Sequence, residues 1–224
     1  MGQAIGDVLG LAAGVAVSPL PIVAIILMLV TAKGRANGSM FAVGWLAGLA
    51  GLGTVVLLLA GPADPSEGGQ PAAWTGWLKL LLGVGALALA AGQWHGRPAP
   101  GAEPEIPKWM TGLDKLRPGG ALGLGALLSA ANPKNGGLTI AAAASIAGAG
   151  LAGGAQAVAL AVFVLVGSVG VLAPLVLYLA AGERAARTLE GWKTWAGTYN
   201  AAIMAVLFLV FGLKLIGDGI AVLF

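Results

Sequence analysis

The chain has 224 residues, 58% of them hydrophobic and 9% charged, with twelve Lys or Arg against nine Asp or Glu. An ordinary soluble domain carries about 25% charged residues, so the composition excludes one. The formal charge of +3 sits mostly in connections between apolar runs rather than in a basic patch for nucleic acid. With no cysteine in the chain, disulfides, thiolate catalysis and cysteine metal sites are excluded.

Six apolar runs dominate the length. The first, about residues 5–30, is interrupted by Ser18-Pro19-Leu20-Pro21. No Lys or Arg precedes Lys33, so this run lacks the basic start of a cleaved signal peptide and is expected to be retained as a span. Gly2, Gly6, Gly10 and Gly14 recur every fourth residue, a smooth stripe expected to pack tightly inside the protein, or else to form a dimer seam. A short loop with Lys33 and Arg35 leads to the second run, about 39–60, which holds Gly44 and Gly48.

The Pro/Gly-rich loop 61–73 has Asp64 and Glu67 but no basic residue. The third run, about 74–94, carries Lys79 as a snorkelling interface residue and ends near His95, the sole histidine. A long proline-rich connection follows, with Arg97, Lys108, Lys115 and Arg117 against Glu103, Glu105 and Asp114. Within it Trp109, Met110, Leu113 and Leu116 are spaced as an amphipathic turn, either lying on a membrane surface or solvated.

The fourth run, about 119–148, contains Ser129-Ala130-Ala131-Asn132-Pro133-Lys134-Asn135-Gly136-Gly137. Proline removes a backbone donor and disturbs the preceding turn. A lysine near a bilayer centre costs roughly 2.5–3.5 kcal/mol on insertion scales and usually faces a cavity or a partner. A broken helix is therefore predicted here. The fifth run, about 155–180, has Pro174 near its end; a basic loop with Arg184, Arg187 and Lys193 precedes the sixth, about 195–215.

The first, third and fifth loops hold two, four and three Lys or Arg, while the second and fourth hold none. By the positive-inside rule the odd loops are cytoplasmic and both termini lie outside. All tryptophans but Trp45 fall near predicted run ends, as an interfacial belt requires. The expected fold is an all-α integral membrane protein of six transmembrane helices in two inverted three-helix repeats, with helices 1 and 4 broken. Residues 1–96 form the first repeat, 97–118 a cytoplasmic proline-rich linker and 119–224 the second. Ser18 and Asn132 each lie about 20 Å into their spans, from opposite faces. The two breaks could thus meet near the midplane, as in inverted-repeat transporters.

Ser18-Pro19-Leu20-Pro21 in the first run and Asn132-Pro133-Lys134 in the fourth resemble the LysE superfamily of six-span exporters. Gly167-Ser168, Pro174 and the stretch from Trp195 to Gly219 extend that resemblance over the whole chain. Within the superfamily the chain is most similar to the actinobacterial GAP family of sulfolipid- and peptidoglycolipid-addressing proteins. The resemblance implies a bacterial cytoplasmic-membrane protein exporting a polar lipid, glycolipid or related amphiphile. It departs from cysteine-bearing thiol–disulfide carriers of the superfamily and from its His- or acid-rich metal exporters. No metal and no cofactor is expected.

Lys134 is the leading candidate for substrate binding, as a compact cation for an anionic headgroup or as a group exchanging a proton during transport. Its structural alternative is a lysine satisfied by carbonyls freed at Pro133 or by Asn132 and Asn135. Those two amides either meet the same ligand or cap half-helices, and Ser18 is a further candidate contact. Pro19, Pro21, Pro133, Gly136 and Gly137 are expected to shape the breaks. Tyr199, Asn200, Asp7 and Asp218 fall near span ends, where a plain interfacial role is expected. The runs place no Asp or Glu near mid-depth, and neither a nucleotide-binding loop nor a nucleophile–base pair is present, so an enzyme is not expected. Two further readings stand beside lipid export: export of an amino acid or other small polar solute, and an accessory subunit of a larger lipid exporter. A homodimer is expected, with membrane lipids as surroundings and no nucleic acid.

Overall fold

The computed structural model describes residues 2–60, 73–97 and 108–224. The loop carrying Asp64 and Glu67 and the prolines of the linker between 98 and 107 lie outside them, as do the side chains of Asp7, Lys79 and Trp109. Among the described residues every regular element is helical. These are α1 (Gly2–Ala16), α2 (Pro19–Leu29), α3 (Gly34–Ala60), α4 (Ala73–His95), α5 (Pro118–Ala126), α6 (Pro133–Gly148), α7 (Gly153–Gly167), α8 (Val169–Ala181), α9 (Ala186–Thr198) and α10 (Asn200–Leu223). A π-turn at Leu127–Ala131 joins α5 to α6, and Lys108–Lys115 and Gly182–Ala185 form 3-10 helices.

The apolar helices mark a membrane protein. Gly34–Leu59 and Asn200–Ala221 are each long and apolar enough to cross a bilayer. Two further spans arise if α1 with α2, bent by 47°, and α7 with α8, bent by 60°, each count as one broken span. Leu80–His95 and Pro118–Ala131 are shorter apolar helices.

The chain forms two compact units, a grouping that cuts across the sequence halves 1–96 and 119–224. One comprises Met1–Asp64 and Glu105–Gly197; the other comprises Pro65–Pro104 and Thr198–Phe224. Between helices in lipid there is no hydrophobic drive, so association rests on close packing and polar contacts.

In the larger unit α2 is buried on almost every side, from Pro19 through Val23, Ile25 and Ile26 to Leu29, as an all-apolar helix requires. α3 runs parallel to α5. A Cβ on Gly44 would collide with the Leu122 carbonyl, one on Gly48 with Ser129 Oγ, and one on Gly125 with the Phe41 carbonyl. Both backbones therefore touch through glycine. α1 and α2 lie along α7 and α8 with their bends side by side: a Cβ on Gly170 would strike the Ala16 carbonyl, immediately before the first break.

The smaller unit is the antiparallel pair of α4 and α10. Gly76 lies opposite Gly219 and Gly83 opposite Gly212; a Cβ on any of them would come within 2.9–3.1 Å of the facing glycine's carbonyl oxygen. Ala90 and Ala205 continue both rows and are buried. The seven-residue spacing on each helix keeps one small-residue stripe on the seam of a nearly antiparallel crossing.

Several sequence expectations need correction. The fifth run, in which no break is expected, is bent at Ser168, and Pro174 lies within α8. The basic loop before the sixth run is a 3-10 turn at Gly182–Ala185 followed by helix α9, and Trp195 belongs to α9; the last span begins at Asn200. Met110 and Leu113, expected in a turn on a membrane surface or in a solvated loop, are buried, and their 3-10 helix packs against α2. Gly2, Gly6 and Gly10 face open space, so that part of the four-residue stripe is not an internal packing face.

Candidate functional site

The two interruptions meet in the larger unit, and proline chemistry explains how. In an unbroken helix the N–H of residue 21 would bond the carbonyl of Val17, and that of residue 133 the carbonyl of Ser129. Pro21 and Pro133 have no N–H. Ser18 takes an extended conformation (φ −102°, ψ 102°) with Pro19 at the first helical position. Asn132 does the same (φ −67°, ψ 122°) before Pro133.

Identical beginnings lead to different capping. The Asn132 side chain caps α6, its Oδ1 accepting from the backbone N–H of Lys134 at 3.0 Å and of Asn135 at 3.5 Å. The Ser18 side chain makes no cap bond, because prolines occupy both the first and the third position of α2. Its hydroxyl is free to reach across the break.

It donates to Asn135 Oδ1 at 2.7 Å, while Lys134 Nζ donates to Ser18 Oγ at 2.7 Å. Lys134 Nζ also donates to the Val17 carbonyl at 3.3 Å, the acceptor that Pro21 leaves without its helical donor. Asn135 Nδ2 in turn donates to the Leu128 carbonyl at 3.0 Å. That carbonyl is vacated because the π-turn sends the Asn132 N–H to Leu127 instead. A continuous relay thus runs from the Lys134 ammonium through Ser18 and Asn135 into the π-turn.

Burial grades along the relay. Ser18 is 4% exposed and Asn135 1% exposed, whereas Lys134 is only partly covered. Among the described residues two ion pairs occur, Lys193 with Glu190 and Lys214 with Asp218, and neither involves Lys134. Its positive charge is met by oxygen dipoles rather than by a carboxylate. A partly reachable cation held by neutral oxygens can accept an anion without first expelling a built-in counter-charge.

A family model described as Sap, sulfolipid-1-addressing protein, matches residues 8–221. The chain belongs to the Sap family. No curated protein and no solved structure matches it.

In this Sap-family chain the structure brings Ser18, Asn132, Lys134 and Asn135 into one cluster. Both polar groups of the Asn135 side chain are engaged within the protein, and the Asn132 oxygen is a cap. Gly136 packs closely, a Cβ there reaching to 2.5 Å of the Ala130 carbonyl, while Gly137 has nothing within 4 Å. His95 lies at the end of α4 and its ring meets the Ala91 carbonyl of its own helix. Tyr199 and Asn200 form the junction of α9 with α10.

Sequence reasoning missed the carbonyls of Val17 and Leu128, which carry no residue signature. It also assigned no role to Ser129 or Ser168 and missed Thr139, polar side chains beside the breaks. Ser129 is fully buried and donates to Ala126, Thr139 is fully buried and donates to the Asn135 carbonyl, and Ser168 donates to Val164. All three are hydroxyls bonding back to their own helix, which only coordinates reveal.

Proposed function

We propose that this protein exports a polar lipid with an anionic headgroup across the cytoplasmic membrane, with Lys134 as the headgroup's cation. The observation that carries this reading is the partly reachable Lys134 ammonium at the meeting of two helix breaks, held by Ser18 Oγ and the Val17 carbonyl and, among the described residues, paired with no acid. An arriving sulfate, phosphate or carboxylate competes with those two oxygens for the ammonium. Once it wins, Val17 loses its donor and Pro21 cannot replace it. The α1–α2 break must then rearrange, which couples binding to movement. The family's description as sulfolipid-addressing supports a lipid rather than a small solute as cargo.

The six-span inverted repeat belongs to the same proposal, and the packing supports it. Spans one and five lie parallel, as do spans two and four, and spans three and six are antiparallel, as six alternating crossings require. A two-fold in the membrane plane exchanging the halves converts the one–five pair into the four–two pair. The glycine contacts follow that exchange: Gly170 closes on Ala16 before the first break, and Gly48 closes on Ala126 and Ser129 before the second. With the charge asymmetry of the loops, both termini lie outside.

The test compares surface-exposed with total lipids in cells lacking the protein, then in cells restored with the native chain or Lys134→Met. One anionic lipid should leave the surface, return with the native chain and stay absent with a normally expressed Lys134→Met. Unchanged surface lipids on deletion would favour small-solute export. Full restoration by the Met variant would make Lys134 structural and favour an accessory role beside a larger exporter.

A further inference from the structure

α10 carries two seven-residue registers on opposite sides. Ala205, Gly212 and Gly219 face α4. Ile203, Val210 and Gly217, alternating with Leu207, Lys214 and Ala221, form a second register about 180° round the helix, at 100° per residue. Its spacing of four and three is that of a helix–helix seam, yet Val210, Lys214, Gly217 and Ala221 are exposed.

Charges on this face are out of place in lipid. Lys214 Nζ lies 2.7 Å from Asp218 Oδ2, with side chains 60% and 42% exposed. The apolar span ends at Ala221, which puts Lys214 about 10 Å inside it. Ionisable residues at such depth face a bundle interior, a cavity or a partner, and this pair points away from α4. Within its own helix the pair is in the weaker of the two orders at this spacing, since acid before base is more favourable and here lysine precedes aspartate.

We propose that a second copy of this chain covers this face. Two α10 helices pack in parallel about a two-fold axis along the membrane normal, Lys214 of each copy pairing with Asp218 of the other. Charge complementarity selects this occupant: a Lys–Asp patch is complementary to itself under a two-fold, which brings the same surface of both copies together. Copies inserted the same way present parallel α10 helices. Gly217 leaves room for close approach, and a lysine on the seam sets its register, with the flanking acid choosing the partner. The inference uses only α10 and stands apart from the headgroup reading.

The test uses two differently tagged full-length chains co-expressed and extracted in mild detergent. Native chains should co-purify. Lys214→Asp alone and Asp218→Lys alone should each lose self-association at least tenfold, while the two variants expressed together should recover it. An intrahelical or merely hydrated pair cannot be restored in trans, so a mixture no better than either variant, or native chains that do not co-purify, overturns the proposal. Cross-linking keeps the test independent of those variants' folding. The native chain has no cysteine and Gly217 has nothing within 4 Å of a Cβ. Gly217→Cys should therefore oxidise to a covalent dimer and Leu81→Cys, exposed on α4, should not; equal cross-linking at both would count against the seam.

Discussion

Lys134 Nζ donates to the carbonyl of Val17, the one acceptor in its turn that Pro21 strips of a helical donor. A proline on α2 thereby creates the need that a lysine on α6 meets, across 117 residues of sequence. The same lysine holds Ser18, so both sides of the first break depend on one side chain from the second.

Removing that side chain's charge should separate binding from folding. A charge-assisted hydrogen bond contributes about 1.5–3 kcal/mol, so Lys134→Met should weaken retention of an anionic lipid roughly ten- to a hundredfold. Titrating the purified native and Met chains with anionic and zwitterionic lipids in detergent reads this directly. A loss for the anionic lipid alone is the expected result.

Ser18→Ala deletes the middle of the relay and leaves Asn135 Oδ1 buried without its donor. An unsatisfied buried group costs about 1–3 kcal/mol, so the melting temperature in detergent should fall. Ser18→Thr, which keeps the hydroxyl, should recover part of the loss, and equal melting of Ala and native chains would show the bond to be weak.

Pro21→Ala has the opposite sign. It supplies an N–H for Val17, which competes with Lys134 and straightens the 47° bend. Thermal stability should hold or rise while surface delivery of the lipid falls. Native delivery by the alanine variant would show that the bend is not needed for transport.

Glycines should divide by what a side chain would meet. Gly44→Val must push α3 off the Leu122 carbonyl, an overpacking that costs about 1–3 kcal/mol, and should lower both membrane yield and melting temperature. Gly137→Ala, with open space around it, should leave the yield unchanged and hold or raise the melting temperature, because α6 gains a better helix former there.

Much of this was legible in the chain. Long apolar runs, sparse charge and the two Pro-bearing interruptions define a helical membrane protein with paired breaks, because proline's missing donor acts locally wherever it stands. Asn132 as a cap is one of the two roles the sequence offers, since an Asn before Pro at a helix start satisfies the next free N–H groups. Tertiary structure alone decided the rest. Ser168 bends its span without a proline at the bend, packed beside the α1–α2 break; the loop before the last span is helical; and nothing in the glycines themselves shows that Gly2, Gly6 and Gly10 face outward while Gly76 and Gly83 are buried. Which carbonyls Lys134 and Asn135 serve depends on the fold, because a backbone oxygen has no side-chain signature and its freedom is set by neighbours brought near only when the helices pack.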